Sequence, residues 1–126
     1  MKRNKFSIAS LALAFCAIML MGFSTTASAE KPADNYKLYC WQCHGTAGVG
    51  KGMNAPHLSV QPRNHTSAKD MGALTKEGVF KAIKFGGVAV AKSTQMPPFA
   101  AIMTDDEIKA LVDYLYAEKC KCEAKK

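Results

Sequence analysis

The segment Cys40-Trp41-Gln42-Cys43-His44 sets two thiols three residues apart and places an imidazole directly after the second. On a helical turn that spacing presents both sulfurs to one side, with the histidine beside them. Two thiols so placed can add to the two vinyl groups of a haem while the imidazole reaches the iron, and this reading is specific to the pentad. The same turn would then supply both the covalent anchors and an axial ligand. Two other chemistries use a Cys-x-x-Cys pair. A thioredoxin-like redox pair follows a strand in an α/β fold, and no strand pattern precedes Cys40. A zinc site needs a second ligand pair, for which Cys120-Lys121-Cys122 is the only candidate.

An iron held by His44 needs a sixth ligand, or else it has an open face. The candidates are Met53, Met71, Met96, Met103, His57 and His65. Met53 and His57 follow the pentad so closely that they cannot easily cross to the opposite haem face. Met96 stands in an irregular stretch between two predicted helices and is followed by Pro97 and Pro98. The prolines stiffen the loop and leave the side chain little entropy to lose on binding. A soft thioether suits the iron of an electron carrier, so Met96 is the expected distal ligand. Met53, Met71 and Met103 read as packing residues.

These groups must be positioned by helices. Tyr36, Tyr39, Cys40 and Cys43 fall at i, i+3, i+4 and i+7, with Asp34 as the expected cap. Gly45, Gly48, Gly50 and Gly52 end that helix and open a loop past Pro56 and Pro62. Ser67 should cap a short helix from Ala68 to Gly72. Thr75 should cap another, which carries Val79, Phe80 and Ile83 and stops at Gly86-Gly87. Thr104-Asp105-Asp106-Glu107 reads as a capping box ahead of Ile108, Leu111, Val112 and Leu115, with Lys119 in the last turn. The expected fold is therefore all-α, four helices with long connections. Loops of that length suit a compact fold when they wrap a prosthetic group.

A chain of 126 residues holds one domain, which excludes a multi-domain enzyme with its own nucleotide-binding fold. Residues 1–29 read as a signal peptide, removed before Glu30. Lys2, Arg3 and Lys5 precede an apolar run of 14 residues from Ile8 to Met21, and Ala27-Ser28-Ala29 supplies the small cleavage-site residues. Phe15 before Cys16 argues against lipidation there. Removing this segment leaves 97 residues and takes three of the 17 basic side chains, so the net charge falls from +7 to +4. A nucleic-acid role thereby loses its main support. Export to the periplasm puts the cysteines in an oxidising compartment, where free thiols seldom persist without a role. The expected domain is 30–126, with a core at about 35–118 and a Lys/Cys tail at 119–126. An uncleaved, membrane-anchoring N-terminus is the alternative.

The stretch from Asn35 to Tyr116 resembles the class I cytochromes c of bacterial respiratory chains. The matching elements are the pentad, His44-Gly45-x-x-Gly48-x-Gly50, Ala55-Pro56, Pro62-Arg63, Gly86-Gly87, Met96-Pro97-Pro98-Phe99 and the helix after Thr104. The resemblance implies a small domain wrapped around one haem c, with Cys40 and Cys43 as thioether anchors, His44 as proximal ligand and Met96 as distal ligand. It also implies that the Pro56 carbonyl accepts a hydrogen bond from the His44 ring. Closed coordination would confine the iron to one-electron transfer with redox protein partners, with no small-molecule substrate. A pocket of Leu58, Val79, Phe80, Ile83, Phe99, Leu111 and Leu115 would line the haem. The alternatives are a tethered or complex-bound cytochrome subunit, and a haem enzyme or gas sensor with an open distal face. Two features depart from the family. His65 stands where relatives often carry an aromatic such as Phe; it reads as a surface residue, with competition for iron as the other possibility. The two-residue spacing of Cys120 and Cys122 makes a mutual disulfide strained; a disulfide-linked dimer, metal trapping and a bare thiol pair on a monomer stay open.

Overall fold

The computed structural model describes residues 31–126, so the predicted export segment and its cleavage site lie outside the described residues. Helix α1, residues 32–44, is a continuous right-handed run of Pro32–Asn35, a π-helical turn Tyr36–Cys40 and Trp41–His44. It starts at Pro32, two residues before the expected cap. Proline at a first helical position has no N–H to leave orphaned and a preset φ. Asp34 falls in the first turn instead, where its carboxylate meets the positive helix end.

Within α1 the Trp41 N–H reaches back to the Tyr36 carbonyl, which adds a residue to the turn. The predicted apolar stripe therefore splits. Tyr36 is 2% exposed and Tyr39 is 39% exposed, while Cys40 and Cys43 remain half-buried.

The remaining helices follow local signals. Ser67 accepts from the Asp70 N–H and caps α2, Ala68–Gly72. Thr75 accepts from the Gly78 N–H at 3.0 Å and caps α3, Lys76–Phe85. Thr104 and Glu107 form the reciprocal capping box of α4, which runs as Asp105–Tyr114 and continues through a second π turn, Leu115–Cys120. Short 3-10 turns lie at Ala55–His57 and Gly87–Val90, and no strand occurs among the described residues.

Helix α4 is the hub: both α1 and α3 pack against it. Ile108 and Leu111 are completely buried at this junction, with Met71, Val79, Ile83, Phe99, Met103 and Leu115 around them. Of the predicted haem lining, Val79, Ile83, Phe99, Leu111 and Leu115 are core residues, and Phe80 packs against them. Leu58 is half-buried on the long loop. Met71 and Met103 pack as expected, but Met53 is 65% exposed, so the packing reading fails for it.

The tail resolves one open question. Cys120 and Cys122 are bonded to each other, so in this structure neither thiol is left for a second chain or for zinc. Lys121 adopts a left-handed conformation, φ 54° and ψ 44°, which turns the chain back and brings the two Cα atoms to 5.2 Å. That separation lies within the normal range for a disulfide. Beyond it, Lys125 N–H donates to the Leu74 carbonyl at 2.8 Å, laying the tail against the start of α3.

Candidate haem site

The last carbonyls of α1 have no partners within the helix and must be satisfied elsewhere. The glycine-rich loop supplies them. Asn54 N–H donates to the Gln42 carbonyl, Gly52 to Cys43 and Gly50 to His44, at 2.8–2.9 Å. The loop therefore winds around the end of the helix that carries the thiols and the imidazole. Glycine is required where it passes closest, because a methyl group on Gly52 would collide with the backbone of Trp41 and Gln42. Gly50 lies equally close beneath the Pro62 carbonyl, which brings the 62–65 segment over His44.

His44 Nδ1 lies 2.9 Å from the Arg63 carbonyl oxygen. A carbonyl only accepts, so Nδ1 carries the proton and Nε2 keeps a free lone pair. Burial pushes the His44 pKa below the ordinary value and the nearby Arg63 guanidinium acts in the same direction, with the carbonyl hydrogen bond opposing them. A neutral imidazole held by a backbone acceptor on one nitrogen is the arrangement a metal-ligating histidine uses. The acceptor differs from the expectation. Pro56 is exposed on its 3-10 turn, and Arg63 takes the role that the resemblance gave to Pro56. The reason is local: His65 N–H binds the Gly48 carbonyl at 2.6 Å, pinning the neighbouring Arg63 over the end of α1.

Cys40 and Cys43 are free thiols on the same helix end. Burial, and then the neighbouring Cys43, push the Cys40 thiol up to about 12. Cys40 is thus not a thiolate nucleophile at neutral pH. Among the described residues no three His, Cys, Asp or Glu side chains cluster as a metal site. The paired thiols of Cys40 and Cys43, with the His44 imidazole on the same helix end, fit covalent haem attachment better than a bare cation.

Met96 lies in a loop fastened to the end of α3. Gly87 N–H donates to the Met96 carbonyl at 3.0 Å, and the bare α-carbon of Gly86 admits the same segment. Phe99 and Ala100 amides then pair with the Ile83 and Lys84 carbonyls, fastening the Met96-Pro97-Pro98 loop to the end of α3. The Ser59 N–H and hydroxyl both donate to Gln95 Oε1 at 3.0 Å, tying the methionine loop to the loop that follows the pentad. Cys40, Trp41 and Met96 all pack, half-buried, against one core. His57 is exposed.

His65 is where sequence reasoning failed. It is 8% exposed, and its ring stacks on His44 with centroids 4.2 Å apart and planes 15° from parallel. Burial first, then the charges of His44, Arg63 and Lys119, lower its pKa to about 3. The available signal was the aromatic that the family resemblance leads one to expect at this position, which implies a site for a buried ring.

The family described as "Cytochrome C oxidase, cbb3-type, subunit III" matches residues 27–115. The chain belongs to this family. No curated protein matches it. Among solved structures, a chain of the Kuenenia stuttgartiensis reducing HAO-like protein complex Kustc0457/Kustc0458 is 26% identical with a TM-score of 0.54. That match covers 71% of this chain and 42% of the other, so this chain spans less than half of that relative. The KustC0563 c-type cytochrome is 24% identical with a TM-score of 0.58, covering 71% of this chain and 99% of that one, and it shares the fold. The chain is a class I c-type cytochrome, a small helical cytochrome c-like domain of the kind that carries covalently bound haem c and transfers electrons.

Proposed function

We propose that this cytochrome is an exported, periplasmic one-electron carrier with a single haem c. Cys40 and Cys43 would hold it through thioethers, and His44 and Met96 would bind its iron. The observation that carries this reading is the His44 imidazole, its Nδ1 proton committed to Arg63 and its Nε2 free, on the same helix end as two free thiols. When bound, haem iron supplies reversible uptake of one electron. The chain's own residues do the rest. Arg63 fixes the tautomer and plane of His44. The loop tied down by Gly86, Gly87 and Gln95 holds the Met96 thioether, a ligand that favours the reduced iron and raises the potential. The apolar side chains of α3 and α4 exclude water. With His44 and Met96 both holding the iron, the group would be left one-electron transfer as its chemistry, and partners would be redox proteins docking briefly through small, polar contacts.

A second reading is a complex-bound or tethered cytochrome subunit. It is supported by the family's description as an oxidase subunit and by the likeness to a chain from a multi-protein complex. No helix among the described residues is long and apolar enough to cross a membrane; residues 1–29, the candidate anchor, lie outside them.

Expression of the full chain in a host with a haem c maturation system tests the first reading. The expected product is red and soluble after osmotic shock, begins at Glu30, and keeps its pigment through acidified acetone. Pigment that washes out contradicts thioether attachment. A red product recovered only in the membrane fraction with residues 1–29 intact supports the second reading.

A further inference from the structure

The structure points to a residue outside the expected ligand set that controls the imidazole. We infer that His65 is a positioning residue for His44, a flat ring laid against the imidazole that fixes its rotation about the iron bond. This inference rests on His44 being the proximal ligand. A single hydrogen bond at Nδ1 leaves the ring free to rock about the line joining that atom to Arg63. A second ring lying 15° from parallel at a centroid distance of 4.2 Å removes that freedom.

His65 is itself held by its backbone and by a neighbouring ring. Its N–H is bonded to the Gly48 carbonyl at 2.6 Å. Tyr36 meets its ring edge-on, with centroids 6.0 Å apart and planes at 67°, a favourable aromatic geometry. Tyr36 is in turn anchored by its hydroxyl, which donates to the Gly45 carbonyl at 2.9 Å. The His65 ring is thus held between two rings of α1, edge-on to Tyr36 and face to face with His44. His65 Nδ1 is buried without a hydrogen-bond partner. Buried polar atoms normally find one, so the ring is kept here for its face and not for its nitrogen.

The test uses the reduced holoprotein. In a proton NMR spectrum, His44 ring protons shifted strongly upfield by the haem ring current report that His44 binds iron; their absence refutes the ligand reading itself. Given those signals, nuclear Overhauser contacts from His44 to His65 ring protons are expected, and their absence overturns the inference alone. Two variants of similar volume then separate a flat face from simple filling. In the oxidised protein, His65→Leu should spread or rearrange the paramagnetically shifted haem methyl resonances, which report the imidazole plane. His65→Phe should restore the wild-type order. Unchanged resonances in His65→Leu, or a His65→Phe that matches His65→Leu, would overturn the inference. Should His65→Leu fail to hold haem, the Overhauser contacts in the wild type still decide the matter.

Discussion

Lys119, in the last turn of α4, donates its ammonium to the Thr46 carbonyl at 2.7 Å, 73 residues away in sequence. Its nitrogen also stands 4.6 Å over the Tyr36 ring and 5.5 Å from that of Tyr114. A lysine that reads as part of a solvated tail instead clamps the C-terminal helix to the loop around the pentad. It covers the Tyr36 ring that meets His65 edge-on.

Lys119→Met keeps the apolar stem but removes the charge. It should destabilise the holoprotein by about 1–2 kcal/mol, from one charge-assisted hydrogen bond and a partly exposed cation–π contact. Denaturant unfolding followed by far-UV circular dichroism measures this. An unchanged midpoint would show that the contact contributes nothing in solution.

Met96→Ala should leave the pigment attached, because the proposed thioether anchors are Cys40 and Cys43. The weak absorption band near the red end of the oxidised spectrum, which reports sulfur–iron bonding, should disappear. Carbon monoxide should then bind the reduced variant rapidly, and the potential should fall. Wild-type protein that binds carbon monoxide quickly at neutral pH would instead indicate an open distal face.

Thr104→Ala removes the hydroxyl that accepts from the Glu107 N–H, one half of the capping box on α4. A loss of about 1 kcal/mol is expected, or a fall in melting temperature of roughly 4–8 °C for a domain this small. Thr104→Ser should recover most of it. This prediction is independent of the haem assignment, since it concerns only the helix against which α1 and α3 pack.

Reduction of Cys120–Cys122 should change little in stability. The ring closes around one intervening residue, so the loop-closure effect is about 1.5 kcal/mol at most. The intact protein should resist alkylation at both positions until reductant is added, and it should run as a monomer on a non-reducing gel. A dimer band that reductant removes would contradict the intrachain bond.

The features legible in the sequence are those set by neighbours in the chain. Ser67, Thr75 and Thr104 cap helices because each hydroxyl meets an amide three residues on, and Gly86 ends α3 because it accepts a φ of 83°. The pentad is legible for the same reason, since its chemistry lies within one turn. The π turn in α1 was hidden because the apolar spacing was read at 3.6 residues per turn, and nothing in Tyr36–Cys40 announces an extra residue. The partner of His44 was hidden for a different reason. Which carbonyl lies above the imidazole depends on how closely Gly50 lets the 62–65 segment approach, a contact between distant residues. The burial of His65 is not legible because an isolated histidine carries no periodicity to place it. The tail disulfide depended on a left-handed Lys121, a conformation that residue type does not favour.

The burial of His65 has a consequence for acid stability. An imidazole with a pKa of about 3 in the folded protein and an ordinary value near 6.5 when unfolded binds its proton preferentially in the unfolded state. Its contribution to stability is therefore complete above pH 6.5, declines as the pH falls below that value, and is exhausted near pH 3. For one such proton the slope is about 1.4 kcal/mol per pH unit, or about 2 kcal/mol by pH 5. His65→Phe cannot take up the proton, and it also removes the unpartnered Nδ1. Its unfolding free energy should therefore be flatter than wild type between pH 7 and pH 5, with the two profiles diverging as the pH falls. Denaturant titrations of both proteins at several pH values measure the difference. Parallel profiles would mean that His65 takes its proton as readily in the folded protein as in the unfolded one, which a ring buried between Tyr36 and His44 should not do.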